Sequence, residues 1–367
     1  MSGPTNIPVG DPKAVKRWSG TLFLDMLRKA YWEKKFVGTD QNACIQRLTD
    51  LESAAGDTIS FDLSVQLRGK PTYGDNPVEG KGENLRFFTD EISIDQMRKT
   101  VNSGGRMTRK RTLHNLRKIA KERLAEYWSK YHDEAMFIYL SGGRGINEDF
   151  FEEIAWTGYA DNPIQAPDAA HLLYSGAATS KATITANDKM SRALIERATV
   201  KARMMRARNP TKANMMPIMI NGEGHYVCLM SPFQEHDLRQ ETGTGGWFDI
   251  QKALTTAEGK SNPIFKGGLG MINGVVLHSH ESVIRFDDYG AGANVPAARA
   301  LFLGRQAGVV AYGSSNGMRA FWNEEKKDHG NQLEVMAGFI LGQKKTRFNE
   351  SDFGILSLDT AAKDPND

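Results

Sequence analysis

The stretch ISFDLSVQLRGKPTYGDNPVEGKGENLRFF, residues 59–88, has the pattern of two β-strands joined by a long polar tip. In the first arm, hydrophobic and polar residues alternate strictly, which is the two-residue period of a half-buried strand. The hydrophobic positions are Ile59, Phe61, Leu63, Val65 and Leu67. Ile92 and Ile94 continue the alternation in the return arm, and glycine, proline and charged residues fill the tip. The pattern predicts an extended β-hairpin over residues 58–101.

A hairpin of this length raises a question of stability. Each arm with half of the tip has ~20 residues, so the hairpin could reach ~60 Å at ~3.3 Å per residue. An isolated two-stranded ribbon is only marginally stable in water, and its free edges invite aggregation. Two explanations stay open at this point. Either the apolar face covers another molecule, or two ordinary core strands are joined by a long flexible loop.

Composition is that of a folded protein in reducing surroundings. Of the 367 residues 40% are hydrophobic and 25% are charged, and the formal net charge of +3 does not call for a nucleic-acid partner. Two cysteines, Cys44 and Cys228, are too few for a disulfide framework and are expected to be buried thiols. We see no signal-peptide core and no run of ~18 apolar residues, so we expect synthesis in the cytoplasm and no membrane partner.

Residues 106–140 carry the strongest helical pattern. A stripe at three- and four-residue spacing predicts one amphipathic helix, and it consists of Leu113, Leu116, Ala120, Leu124, Tyr127, Tyr131, Ala135 and Ile138. Thr112 is the predicted N-cap and Gly142–Gly143 the predicted stop. A helix of ~28 residues would be ~42 Å long.

The first half of this predicted helix is strongly basic, as is a second predicted helix over residues 188–208. The basic residues of the first are Arg106, Arg109, Lys110, Arg111, Arg117, Lys118, Lys121 and Arg123. Two interpretations apply to such helices. They could bind nucleic acid, or they could be solvated faces that pair with acidic neighbours. No aromatic residues interleave with them as on a single-strand platform, and we assign Tyr127, Trp128 and Tyr131 to the core.

The remaining chain mixes helices and strands without a regular βαβ order, which predicts an α+β fold. The further predicted elements are a helix over residues 21–36, a loop over 155–187, a strand pair around Asn221–Gly222, a short helix in SPFQEHDLRQ, two strands in GVVLHSHESVIRFDD, a helix entered through Pro296 and followed by a strand, and two long strands around Asn349.

No stretch of the sequence carries a recognisable catalytic or cofactor site. The glycine-rich segments at Gly243–Gly245, Gly290–Gly292 and 141–145 each lack a residue that their phosphate-binding motifs require. His278 and His280 could bind a metal ion, but no further ligand follows at a known spacing, so a surface strand is the favoured interpretation. We therefore predict no catalytic residue, no cofactor and no metal.

Several stretches, taken in this order, resemble a known family. They are LTDLESAAGDTISFDLSVQLRGKPTYGD, which leads into the hairpin; VNSGGRMTRKRTLHNLRKIAKERLAEYWSKYHDEAMFIYLSGGRG, which covers the long helix; and WNEEKKDHGNQLEV with TRFNESDFGILSLDTA near the end. Together they cover residues 47–145 and 322–361. The chain resembles the major capsid proteins of tailed bacteriophages with the Hong Kong 97-type fold, and most closely those of the N-four-like podoviruses.

The resemblance implies a domain organisation and a role. The implied parts are an N-terminal arm (1–57), the extended hairpin or E-loop (58–101), a peripheral domain with the spine helix (102–187), a mainly axial domain (188–320) and a return to the peripheral domain (321–367). The implied role is a non-enzymatic shell protein that assembles with itself as hexamers and pentamers. The implied partners are scaffolding, decoration and portal proteins and, non-specifically, the packaged double-stranded DNA.

The resemblance also offers a reason for the long hairpin. Its apolar face would cover an adjacent subunit, and its charged tip would make polar contacts with further neighbours. The predicted inter-subunit contacts are Phe61, Leu63, Val65, Leu67, Arg68, Lys70, Asp75, Glu79, Lys81 and Glu83. A DNA-binding protein, or another structural virion protein that uses the basic helices, is the competing interpretation.

Overall fold

The structure is a computed structural model that describes residues 25–26, 28–52, 56–208, 212–241, 268–314 and 320–366. Within these residues two mixed β-sheets pack on one long helix, so the predicted α+β class is confirmed. The long helix, α3, spans Leu116–Ser141. The other helices are α1 (Tyr31–Lys35), α2 (Arg106–Arg111), α4 (Arg192–Arg208) and α5 (Pro232–Gln240).

The first sheet joins strands from distant parts of the chain. Its six described strands are β1 (Val37–Gly38), β2 (Ile45–Leu48), β5 (Asp95–Asn102), β15 (Gly308–Gly313), β16 (Ala320–Lys327) and β17 (Gln332–Lys345). The long strand β17 pairs antiparallel with β5, β15 and β16, and β2 pairs parallel with β15. The return arm of the hairpin therefore continues directly into this sheet through β5.

The second sheet has eight described strands in the order β11-β12-β10-β14-β20-β8, with β9 on β10 and β13 on β14. They are β8 (Leu172–Tyr174), β9 (Ile218–Ile220), β10 (Glu223–Met230), β11 (Gly270–Ile272), β12 (Val275–Ser279), β13 (Arg285–Tyr289), β14 (Val295–Leu303) and β20 (Ile355–Ala361). The first sheet thus contains β15, from the segment 188–320 that is predicted as mainly axial. The second sheet contains β20, from the segment 321–367 that is predicted to return to the peripheral domain. Assignment of these segments to peripheral and axial domains stays a prediction.

Short hairpins and single turns complete the described chain. The remaining strands are β3 (Thr58–Ser64), β4 (Phe87–Ser93), β6 (Gly158–Tyr159), β7 (Asn162–Pro163), β18 (Arg347–Phe348) and β19 (Ser351–Asp352). Single 3₁₀ turns lie at Asp50–Glu52, Ala169–His171 and Lys181–Thr183. The predicted turn at Asn221–Gly222 is confirmed, since both residues have positive φ (51° and 85°) and they join β9 to β10.

The predicted helix from Pro296 is wrong, because this segment is the central strand β14. Residues 297–303 are all buried, and β14 pairs with β10, β13 and β20. Its neighbouring residues face two different cores: Leu301 and Leu303 face the core shared with α3, whereas Ala300 and Phe302 face α4. A strand buried on both faces shows no polar alternation, so its pattern cannot be told from that of a buried helix.

The long helix begins later than predicted. The short helix α2 ends at Thr112, and Asn115 is the N-cap of α3, with its side chain accepting from the Lys118 amide at 3.2 Å. Leu113, assigned to the apolar stripe, is fully exposed in the link between the two helices. The stop at Gly142 is confirmed (φ 69°), and a Cβ there would lie 2.2 Å from the Gln165 carbonyl oxygen.

Two other predictions need correction. The helix over residues 21–36 is interrupted at Ala30, whose backbone is extended, and its positions Leu22, Leu24 and Leu27 lie outside the described residues. The predicted loop over 155–187 contains β8, which pairs parallel with β20 and extends the second sheet. Three residues were too few to show a period.

The buried second half of α3 holds its neighbours with polar side chains. Asp133 accepts hydrogen bonds from the amides of Tyr31 (2.8 Å) and Trp32 (3.1 Å), so it caps α1, whose own N-cap residue Ala30 has no acceptor side chain. Glu134 accepts in the same way from the amides of Phe151 and Glu152, both at 2.8 Å. One helical turn of α3 thereby fixes both the arm and the loop that follows the helix.

The C-terminal end of α3 is tied to the second sheet by a buried ion pair. Arg299 on β14 donates to both carboxylate oxygens of Asp359 on β20, at 2.7 and 2.8 Å. It also donates to the Ser141 carbonyl in the last turn of α3 at 2.9 Å. Tyr289 donates to Asp359 at 2.7 Å, so each buried polar atom of the carboxylate has a partner.

We expect Asp359→Ala to lower the free energy of unfolding of the unassembled chain by about 3–5 kcal/mol, because the buried Arg299 would lose its counter-charge. Chemical denaturation followed by tryptophan fluorescence measures this loss. The double variant Asp359→Ala/Arg299→Met removes both charges and should recover part of the stability. Equal stability of wild type and Asp359→Ala would contradict the role of the pair.

Asp133 gives a prediction for pH. Burial raises the pKa of Asp133 to about 7, against the effect of the two amides that it caps. The folded chain therefore holds this proton more tightly than the unfolded chain, and the stability it contributes is complete below about pH 4 and lost as the pH rises toward 7.

The difference in unfolding free energy between wild type and Asp133→Asn isolates this group, because His132, Glu134 and His280 titrate in both proteins. We expect wild type to lose stability relative to Asp133→Asn between pH 4 and pH 8. Parallel stability curves for the two proteins over that range would contradict the prediction.

Candidate assembly surface

The hairpin predicted from residues 59–88 is present, and its lower half lies on its own chain. Strands β3 and β4 pair antiparallel from Thr58↔Ser93 to Ser64↔Phe87. Ile59 and Ile92 are buried in a small core with strands of the first sheet. Asp90 on β4 accepts from the Lys344 ammonium at 2.5 Å and from the Arg347 amide at 3.0 Å. The base of the hairpin is therefore a fixed part of the subunit.

The next residues of the apolar face, Phe61 and Leu63, also have partners within the chain. The Phe61 ring meets the Phe348 ring edge to face, with 5.9 Å between centroids. Leu63 packs on a cluster that contains Phe348 and Phe353. For these two residues the predicted inter-subunit contact stays a prediction, and substitutions there would disturb the subunit itself.

Burial decreases steadily toward the tip of the hairpin. Ile59 is buried, the apolar residues Phe61, Leu63 and Val65 are half-buried, and Leu67 is 54% exposed. The tip is more apolar than its sequence suggested, because isolated hydrophobic residues in a glycine-rich stretch give no periodic signal. The large exposed side chains of the outer hairpin are Leu67, Tyr73, Val78, Leu85 and Phe87.

A carboxylate closes the base of the tip. Glu83 accepts from the Arg68 amide at 2.8 Å and from the Gly69 amide at 2.5 Å. A Cβ at residue 69 would lie 2.9 Å from the same carboxylate, so glycine permits this close approach. Two predicted contact residues, Arg68 and Glu83, thus shape the tip itself. The other predicted charges, Lys70, Asp75, Glu79 and Lys81, are exposed.

The basic residues of α2 and α3 are largely engaged with their own chain. Arg117 contacts the Glu324 carboxylate at 2.7 Å, and Lys121 lies 3.4 Å from Asp25. On α4, guanidinium and ammonium groups donate to nearby backbone carbonyls, and they belong to Arg197, Lys201 and Arg203. These contacts favour the interpretation that the helices pair with neighbours within the fold.

The turn between β16 and β17 shows why the sequence Asp-His-Gly-Asn occurs there. Asp328, His329 and Gly330 all have positive φ (52°, 47° and 87°). Asn331 accepts from the Arg106 amide at 3.1 Å through its side chain and from the Arg109 guanidinium at 2.9 Å through its carbonyl. The turn therefore holds α2 in place, a role that the sequence did not reveal.

The histidines considered as metal ligands pack against aromatic side chains of the core. His278 is 1% exposed, so the predicted surface strand is wrong, and its ring meets Phe36. The His280 ring lies 4.3 Å from that of Tyr31, and burial lowers its pKa to about 4. Among the residues that the structure describes, no cluster of three or more His, Cys, Asp or Glu could hold a metal ion.

The remaining candidates have equally simple outcomes. Cys44 and Cys228 are buried free thiols, as predicted, and burial raises the pKa of both. Gly290 lies in a turn between the strands β13 and β14, without the helix that a phosphate site requires. Gly243 and Gly245 lie outside the described residues.

Comparison with known proteins gives consistent matches over the whole chain. The family model for "Phage capsid protein" matches residues 6–364. The major capsid protein of Pseudomonas phage KPP25 is 27% identical over 375 aligned positions, with 94% of each chain covered. The capsid of Ralstonia phage GP4 is 58% identical, with 100% of both chains covered and a TM-score of 0.89.

A more distant structure has the same fold. The capsid of cyanophage Pam1 superposes with a TM-score of 0.70, although only 20% of the residues are identical. The match covers 92% of this chain and 94% of the other. At this level of identity the likeness concerns the fold alone.

We expect Glu83→Ala to loosen the base of the tip, since it removes the acceptor of two amides. Hydrogen exchange of the Arg68 and Gly69 amides should accelerate about tenfold, because hydrogen bonds to charged groups limit local opening. Glu79→Ala, which removes another carboxylate from the tip, is the matched control and should leave both rates unchanged. Unchanged exchange in Glu83→Ala would show that the carboxylate does not hold the tip.

Proposed function

The chain belongs to the phage capsid protein family and is a phage major capsid protein, and on that premise we propose how it builds its shell. It assembles with itself as hexamers and pentamers into an icosahedral shell that encloses a double-stranded DNA genome. Its role is structural, without catalysis. It is made in the bacterial host cytoplasm and resides in the capsid of the virion.

The fold is the Hong Kong 97-type capsid fold. In that frame the hairpin β3–β4 corresponds to the E-loop and α3 to the spine helix. We assign the first sheet with α3 to the peripheral domain and the second sheet with α4 and α5 to the axial domain. None of the described helices combines the length and apolar character that a membrane span requires.

One observation carries the proposed mode of assembly: the outer hairpin presents large apolar side chains to solvent. Tyr73 is 73% exposed and Val78 is 66% exposed, on a tip that the chain's own core does not reach. Several large apolar side chains left exposed on one projecting element are typical of a protein–protein contact. Covering about 800 Å² per partner would make each contact a standard interface.

The charged residues of the tip have a different role in this proposal. Exposed ion pairs contribute only about 0–1 kcal/mol each, so Lys70, Asp75, Glu79 and Lys81 set the register of the contact while the apolar residues supply its stability. Scaffolding, decoration and portal proteins and the packaged DNA are further proposed partners, and the family resemblance supports them. The engagement of α2, α3 and α4 within the chain argues against sequence-specific DNA binding as the main role.

The proposal is tested by producing the chain in bacteria, alone and with the scaffolding protein of its phage, and examining it by sedimentation and negative-stain electron microscopy. Closed shells, or rings of six and five subunits, are expected. A chain that stays monomeric under both conditions, and that binds a DNA duplex in a salt-sensitive way, would contradict the proposal and favour the DNA-binding alternative.

The hairpin face gives a sharper test. We expect Leu67→Asp to prevent shell formation, because burying an exposed leucine contributes about 1.5–3 kcal/mol to each contact and an aspartate reverses that gain. Lys70→Ala, three residues along on the same tip, should still assemble. Leu67 suits this test better than Phe61, since Phe61 packs on Phe348 of its own subunit.

Particle yield after sedimentation is the measurement, and circular dichroism checks that both variants are folded. Normal shells from Leu67→Asp would show that the outer hairpin does not supply the contact.

A further inference from the structure

A basic segment, residues 106–115, projects from the first sheet with unpartnered apolar side chains. It contains four basic residues and no acidic one. Met107 is 59% exposed and Leu113 is fully exposed, and Lys110 and Arg111 are exposed beside them. Within the described residues no ion pair engages Lys110 or Arg111.

The basic segment is held in a definite position. Its two other cations are anchored on the turn between β16 and β17, where Arg106 donates to the Gly330 carbonyl at 3.3 Å and Arg109 to the Asn331 carbonyl at 2.9 Å. The side chains that face solvent are therefore presented by a fixed backbone. This is the condition for a docking surface with little ordering cost.

An acidic segment, residues 146–154, has the complementary properties. Its sequence INEDFFEEI contains four acidic residues and no basic one. Ile154 is 73% exposed and Phe151 is 44% exposed, with Glu148 and Glu153 exposed between and beside them. Glu134 of α3 accepts from two backbone amides of this segment, so it too is fixed.

Within the described residues, no hydrogen bond, ion pair or ring contact joins the two segments. The acidic segment folds back along α3 as far as Tyr127, whose ring lies 4.7 Å from that of Phe151. The basic segment precedes Leu116, and the rise along α3 from Leu116 to Tyr127 is about 17 Å at 1.5 Å per residue. The exposed side chains of each segment are open to another copy of the chain.

We propose that the basic segment of one copy docks on the acidic segment of its neighbour. Met107 and Leu113 pack against Phe151 and Ile154, while Lys110 and Arg111 face Glu148 and Glu153. The contact is heterologous, since each copy offers a different surface on each side, and repetition of such a contact around an axis closes a ring. This inference rests on the proposed function and specifies one contact of the shell.

Nucleic acid fits the basic segment less well. Phosphates would satisfy Lys110 and Arg111, but they would leave Met107 and Leu113 exposed. The segment has no Phe, Tyr or Trp on which a base could stack, and His114 is its only ring side chain. Nor would a DNA partner account for the matching apolar and acidic surface at residues 146–154.

A charge-swap experiment in the full-length chain tests the contact. The three variants are Lys110→Glu/Arg111→Glu, Glu148→Lys/Glu153→Lys and the combination of all four substitutions, which restores the wild-type net charge. The control, Lys110→Arg/Arg111→Lys, keeps both charges. Particle yield is measured by sedimentation and electron microscopy, with circular dichroism as the check on folding.

Each reversal alone should lower the particle yield by at least about tenfold, because it places like charges together at every copy of the contact. The combined variant should recover most of the yield, and the control should equal wild type. Recovery in the combined variant identifies the two segments as partners, since no other contact gains from both reversals together.

Three results would overturn the contact: wild-type yield from either reversal, a combined variant no better than the single reversals, or a Lys110→Glu/Arg111→Glu chain that forms normal shells but loses salt-sensitive binding to a DNA duplex. In each case wild-type shells would still uphold the proposed function. Failure of the proposed function is distinct, because it would appear as a wild-type chain that forms no particles even with its scaffolding protein.

Discussion

The buried pair between Arg299 and Asp359 joins the two halves of this subunit. Its guanidinium binds a carboxylate on the second sheet and, at the same time, the last turn of α3, which also packs on β17 of the first sheet. Because the pair is buried, breaking it is costly, and it ties the second sheet to the C-terminal end of α3. Every surface that projects from the subunit is therefore oriented relative to the same rigid body.

The long helix α3 also holds other segments of the chain in place through its side chains. In its buried half, Asp133 caps a short helix of the arm, whose Tyr31 lies 102 residues earlier in the chain, and Glu134 holds the loop after α3. A carboxylate without such amide donors would be costly at these depths, so the pairing is specific. The more exposed first half, in contrast, carries the basic residues, of which Arg117 contacts Glu324 on β16 at the edge of the first sheet.

The sequence predicted those elements that bury only one face, because their hydrophobic and polar residues then recur with a recognisable period. The hairpin was found because its apolar residues alternate, and the turn at Asn221–Gly222 because the residue types demand positive φ. The strand β14 was missed, since residues 297–303 are buried on both faces and lose the alternation. The predicted N-cap at Thr112 was wrong by a few residues because a cap is decided by which side chain reaches an amide, here that of Asn115.

The candidate surface was likewise predicted only in part. The alternating face of the hairpin was visible from sequence, but its partition between the subunit and solvent depends on Phe348 and Phe353, which come from almost three hundred residues away. The apolar residues of the tip, Tyr73 and Val78, sit among glycines and charges and follow no period. Their exposure becomes evident only from the fold, in which none of the described residues covers them.

The decrease of burial along the hairpin has a consequence for how shells avoid errors. On the proposed function, the anchored base fixes the direction of the hairpin, while the glycine-rich tip loses conformational freedom only when it meets a neighbour. That loss weakens each contact and leaves it reversible until several form together. A misplaced subunit makes few contacts and can dissociate, whereas a correctly placed subunit is retained by many contacts. Misplaced subunits are therefore removed while the shell grows.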